Sequence, residues 1–124
     1  MATDASVRET AHLISSDKVE GTAVRRSGGD KIGTIEHVML DKHSGRIAYA
    51  AMSFGGFLGM GSEYRALPWS ALRYNDQLDA YELNVSDEQL QNAPVAGEDF
   101  FETGRADRQW EDSIHSHYRV APYW

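Results

Sequence analysis

Phe54-Gly55-Gly56-Phe57-Leu58-Gly59-Met60-Gly61, followed by Glu63-Tyr64-Arg65-Ala66-Leu67-Pro68-Trp69-Ser70-Ala71-Leu72, is the stretch that decides the fold of this chain. A glycine cluster of this kind either cradles a phosphate or turns a sheet. A phosphate loop gathers backbone amides at a helix N-terminus and usually adds a lysine, as in G-x-x-x-x-G-K-[ST]. Gly55 to Gly61 holds no basic residue, and it leads into a β-type segment ending at Pro68, which has no ladder donor. The stretch therefore reads as the long loop of a hairpin. Phe57, Leu58 and Met60 at its tip are apolar side chains on a loop, and they either plug the end of the domain or contact a partner.

On both sides of this loop, from Gly21 to Val85, short apolar runs alternate with turn signals at the spacing of a small all-β domain. Strands are expected over Thr22–Ser27, Lys31–Asp41, Arg46–Phe54, Glu63–Leu67, Ala71–Tyr74 and Ala80–Val85. In the sixth, Tyr81, Leu83 and Val85 share one face and Glu82 and Asn84 the other. The second alternates badly, with Ile35 and Met39 on one face and Val38 and Leu40 on the other, so either both its faces are buried or a bulge switches them. Gly45, in the turn Asp41-Lys42-His43-Ser44-Gly45, is available for positive φ. Ser86-Asp87-Glu88-Gln89 is a capping box that opens a short helix running to about Ala93, before Pro94. Ser6-Val7-Arg8-Glu9 fits a second box, but few apolar positions follow it, and a short helical arm or an irregular lead-in suits it equally. Gly104 confines any later helix to about Ala106 onward.

The 124 residues suit one domain with a single core, and without cysteine that core must hold by packing alone. No apolar run is long enough to cross a bilayer, and Met1 to Glu9 lacks the apolar centre of a secretory signal, so a cytoplasmic protein is expected. The net charge of −7 is uneven. From Gly21 to Asn84 the basic and acidic residues balance, and the excess lies before Gly21 and after Asn84. An acidic chain with no basic cluster is poorly suited to neutralising phosphate backbones, and nucleic-acid binding is not expected.

Several short motifs come in a familiar order: Leu13-Ile14-Ser15-Ser16-Asp17-Lys18-Val19-Glu20-Gly21, Gly29-Asp30-Lys31-Ile32-Gly33-Thr34-Ile35, Asp41 to Arg46, the glycine run, Leu67-Pro68-Trp69-Ser70-Ala71-Leu72 and Glu88-Gln89-Leu90. Together they resemble the PRC-barrel family from about Leu13 to Pro94. The resemblance implies a mainly β fold, a small six-stranded barrel like that of the H subunit of bacterial photosynthetic reaction centres and of a ribosome-maturation factor. In those settings the barrel is a docking module without known chemistry. The membrane anchor of the first and the RNA-associated domain of the second are not seen here, so the expectation is a stand-alone bacterial member. Such sequences often carry a lysine after the glycine loop, where this chain has Ser62 and Glu63, which weakens any anion-binding role for the loop. The organisation expected is an N-terminal arm (1–12), the barrel domain (13–94) with a short helix after the last strand, and an acidic, aromatic C-terminal extension (95–124).

No triad or carboxylate pair stands out: Glu36 with His37 are neighbours on a strand and point to opposite faces, and Asp41 with His43 lie in a turn. No catalytic residue, cofactor or metal is assigned, and the chain is expected not to be an enzyme. Trp69, behind Pro68, is read as a residue capping the barrel core, or else as an anchor for docking. The last residues, His117-Tyr118-Arg119-Val120-Ala121-Pro122-Tyr123-Trp124, are too aromatic for a solvated tail. The function expected is protein docking, with self-association into a homodimer, through Phe57, Leu58, Met60, Trp110, Tyr118, Tyr123 and Trp124. The alternative is a small-ligand sensor at the barrel mouth, or a metal sensor in which His115 and His117, two apart on an extended segment, face the same way.

Overall fold

The computed structural model describes residues 9–54, 63–93 and 108–124. Its centre is one six-stranded sheet in the order β4-β3-β2-β1-β6-β5. The strands are β1 (Ala23–Arg25), β2 (Lys31–Leu40), β3 (Ile47–Phe54), β4 (Glu63–Pro68), β5 (Arg73–Asn75) and β6 (Ala80–Glu82). Neighbours run antiparallel except β1 and β6, which are parallel. The helices are α1 (Ser16–Val19), α2 (Asp87–Gln91) and α3 (Arg108–Tyr118).

A chain-length argument shows that the sheet must coil. Its two edge strands, β4 and β5, are joined by a single 3-10 turn at Trp69–Ala71 plus Leu72. Crossing a flat sheet of this order would take five inter-strand spacings of about 4.8 Å, roughly 24 Å. The five residue steps from Pro68 to Arg73 reach at most about 18 Å even when fully extended. The edges are therefore drawn toward each other, which gives the mainly β, barrel-type architecture expected from the sequence.

Register explains the irregular second strand. Ile35 pairs with Met52 and His37 with Ala51, so Glu36 is an extra residue. That bulge leaves Glu36 exposed, with its carboxylate accepting from Ser53 Oγ at 2.6 Å. Before the bulge, one face is continuous across the sheet. Val24 lies opposite Gly33, Ile35 opposite Met52 and Met52 opposite Arg65, with Leu67 two residues further on. Val24, Ile35, Met52 and Leu67 are fully buried there, and each such aliphatic side chain contributes about 1.5–3 kcal/mol of transfer free energy. β3 is buried on both faces from Ala48 to Met52, because helix α3 covers the side carrying Tyr49.

Arg65 is the charged member of this core, only 3% exposed. Its guanidinium donates to the carbonyls of Leu90 (3.2 Å) and Gln91 (3.1 Å), the open C-terminal end of α2, and lies over the Phe54 ring. A cation there satisfies the Gln91 carbonyl, shares that of Leu90 with the Ala93 amide, and sits favourably at the negative end of the helix dipole. At the other end of α2, Ser86 accepts from the Gln89 amide at 3.0 Å, the cap that the sequence predicts. Strands β5 and β6 are shorter than expected. The 3-10 turn takes Trp69–Ala71, and regular pairing of β6 ends at Glu82, although Leu83 still donates to the Arg25 carbonyl.

Candidate docking face

Helix α3 carries Trp110, Ile114 and Tyr118 at intervals of four, and Glu111 and His115 at the same interval beside them. Residues four apart lie on one face of a helix, and this face is the one laid against the sheet. Ile114 is fully buried, His115 is 3% exposed and Tyr118 is 8% exposed. The helix ends in a Schellman arrangement: Val120 N–H donates to the His115 carbonyl, and Arg119 N–H to that of Ser116. Arg119, at φ 57°, turns the chain in the left-handed region and sends Val120 to Trp124 back over the helix.

The returning tail closes an aromatic cluster around Tyr49. The Tyr49 ring centroid lies 5.6 Å from that of Trp110, 5.5 Å from His115 and 5.8 Å from Tyr123. Trp124 packs edge-on against Tyr123 at 5.1 Å and His115 at 5.3 Å. One carboxylate organises the polar atoms. Glu111 Oε1 accepts from the Tyr49 hydroxyl at 3.0 Å and the Tyr123 hydroxyl at 2.7 Å. Its other oxygen is 3.6 Å from the Arg108 guanidinium, which stacks on Trp124 at 3.9 Å from the ring centre. Burial, then the adjacent Glu111 charge, pushes the Tyr49 hydroxyl far above the ordinary tyrosine range. Tyr123 is raised in the same direction, by burial first and then by its hydrogen bond to Glu111. Both phenols remain donors at neutral pH.

Beside this cluster lies a groove of mixed lining, in which Asp41 and Glu111 accompany apolar side chains. Met39, Leu40 and Ala48 border this groove, of about 220 Å³, with Tyr49, Trp110 and Tyr123. Leu40 is 53% exposed, and Trp124, beside Tyr123, is 50% exposed. Among the described residues these two and Leu13 are the large hydrophobic side chains most open to solvent.

The residues singled out in the sequence are thus divided. Trp110 and Tyr123 are half-buried in the cluster, Trp124 stands on its rim, and Tyr118 is inside the core of its own chain. Phe57, Leu58 and Met60 fall outside the described residues. The paired-histidine geometry is corrected: His115 and His117 are on a helix, where a separation of two turns side chains about 200° apart. His115 Nδ1 is bonded to the Glu111 carbonyl at 2.8 Å, while His117 Nε2 meets the Gln89 carbonyl at 2.7 Å. Among the described residues no group of three His, Asp or Glu side chains is placed to hold a metal ion. Asp41 accepts from the His43 and Ser44 amides, which holds its carboxyl below the usual range and makes it a turn residue. Arg108, Tyr49 and Leu40 were not expected, and Glu111 only as a companion of His115 and His117 in a metal site. Their strands and helix were legible as elements, but that they meet depends on the return of the C-terminus, which no local pattern encodes.

The family model of the PRC-barrel domain matches residues 12–90. No curated protein matches the chain.

Proposed function

Because this chain belongs to the PRC-barrel family, we propose that it is a non-catalytic docking module that holds a protein partner, in its simplest form a second copy of itself. The observation that carries this proposal is a groove with rigid aromatic packing in its lining, the half-exposed Leu40 at its border, and the half-exposed Trp124 packed on Tyr123, one of its lining residues. Such a lining favours binding, since its side chains have already lost their rotamer freedom in the free protein. The carboxylates of Asp41 and Glu111 give the groove a polar border, and Arg108, stacked on Trp124, lies 3.6 Å from Glu111. Phe57, Leu58 and Met60, of the glycine-rich sequence, are the second contact proposed.

Sedimentation velocity on the intact chain and on Leu40→Glu and Trp124→Ala tests this. A dimer that becomes a monomer in both variants, with melting temperatures close to wild type, is the expected result. Residues from Arg119 onward are the proper target for truncation, because removing Tyr118 would open the core. A chain that is monomeric at every concentration, and gives no adduct from a photo-crosslinker placed at residue 40 in its own cell, overturns the docking role.

A further inference from the structure

At the end of the sheet where β4 passes into β5, the N-terminal arm leaves a cleft of about 420 Å³. The arm is a small closed turn: Glu9 bridges Ile14, and Thr10 N–H donates to the Leu13 carbonyl. Trp69, Tyr74 and Tyr81 form the facing wall. Tyr81 lies between the other two, its ring centroid 5.1 Å from Trp69 and 5.0 Å from Tyr74, with planes inclined at 59° and 73°. Tyr81 is only 5% exposed, so the ring surface open to the cleft comes mainly from the partly exposed Trp69 and Tyr74, inclined walls of the kind with which aromatic side chains meet a cation.

The charges around the cleft have one prevailing sign. Asp76 and Glu9 line it, with His12 as the basic side chain there and neither lysine nor arginine. Lys18 pairs with Glu9 from outside the lining and offsets part of that charge. Asp79 accepts the Tyr74 hydroxyl at 2.6 Å, and Glu9 lies 3.4 Å from the same oxygen. A phenol donating to a carboxylate has a more electron-rich ring, and therefore a more negative face. The hydroxyls of Tyr74 and Tyr81 are both raised above the ordinary range, the first chiefly by its bond to Asp79 and the second chiefly by burial. Both rings therefore stay neutral donors at physiological pH.

We propose that this cleft is a binding site for a quaternary ammonium group. An anion would meet the Asp76 and Glu9 carboxylates, with Lys18 already engaged by Glu9 and His12 as the basic side chain in the lining. A primary ammonium would have to give up water for ring faces that accept hydrogen bonds poorly, whereas methylated nitrogen carries its charge on apolar methyls suited to those faces. The volume exceeds that of a trimethylammonium head, leaving room for the tether of a small molecule or of a methylated lysine. The site stands on different residues from the docking rim and does not depend on it.

The test uses the intact chain and follows the Trp69 indole by proton–nitrogen NMR during titration with choline, with a trimethyllysine peptide, and with 3,3-dimethylbutanol, the uncharged isostere of choline. Expected are saturable shifts at Trp69 with millimolar or tighter affinity for the two cations, and at least about tenfold weaker binding of the alcohol. The tighter of the two cations identifies the source of the group. Asp76→Asn, on an exposed turn, should weaken binding about 3- to 10-fold without changing the fold, and Tyr74→Leu should weaken it at least as much. Equal binding of the alcohol, no saturable shift with either cation, or undiminished affinity in a folded Asp76→Asn protein overturns the proposal.

Discussion

At the scale of single residues, the tightest constraint in the sheet falls on Gly33. A Cβ built there would sit 2.3 Å from the Ser53 carbonyl oxygen and 3.0 Å from the Met52 side chain, at the pairing of β2 with β3. The nearest obstacle is backbone, so it cannot rotate away; the two strands would have to part. Gly33→Ala should therefore cost about 1–3 kcal/mol, seen as a lower urea midpoint with an unchanged slope. An unshifted midpoint would show that β2 and β3 separate freely. The sequence marked Gly33 only as part of a family motif, because close approach of a neighbouring strand leaves no local trace. Gly45 was legible, since its turn needs positive φ and the observed value is 77°. Tyr118 was legible as an aromatic residue that had to be covered, by its own domain or by a partner, and its own chain covers it.

Elements were read well where their signals are local and poorly where they depend on distant packing. The Ser86 cap and the bulge in β2 follow from residue order, so both could be anticipated. The sequence places helix α3 from about Ala106 and the structure describes it from Arg108; an extended last turn would set the two histidines on one face, whereas the helix turns them apart. What ends this helix is a residue that the usual signals would not nominate. Arg119 occupies the left-handed position of the Schellman motif, where glycine is preferred and a side chain is strained. Arg119→Gly keeps both closing hydrogen bonds and removes the strain, so it should stabilise the protein by about 0.5–1 kcal/mol despite the greater freedom of glycine in the unfolded chain. Thermal unfolding checks this: a lower melting temperature for the glycine variant would mean that the arginine side chain holds α3 through contacts outweighing its backbone strain.

The whole molecule adds a dependence on alkaline pH that follows from where its tyrosines lie. Tyr49, Tyr74, Tyr81, Tyr118 and Tyr123 are all raised above the ordinary range near 10. Tyr118 is pushed up to about 12, by burial, against a small opposing influence of Arg65. A raised acid favours the folded state while it is protonated. Its contribution is complete below the unfolded value of about 10 and is lost as pH rises through the folded value near 12. For Tyr118 that loss amounts to about 2–3 kcal/mol. Melting temperature should therefore hold steady up to about pH 9 and fall steeply beyond about pH 10. Tyr118→Phe separates this residue from the other four. The buried Tyr118 hydroxyl has no hydrogen-bond partner among the described residues, so its removal should leave stability at neutral pH unchanged or raised by about 1 kcal/mol. Phenylalanine cannot ionise, and the variant should keep about 2–3 kcal/mol of what wild type loses between pH 10 and 12. Parallel curves for the two proteins would mean that the Tyr118 hydroxyl reaches water in solution and that the face of α3 laid on the sheet opens more readily than its burial implies.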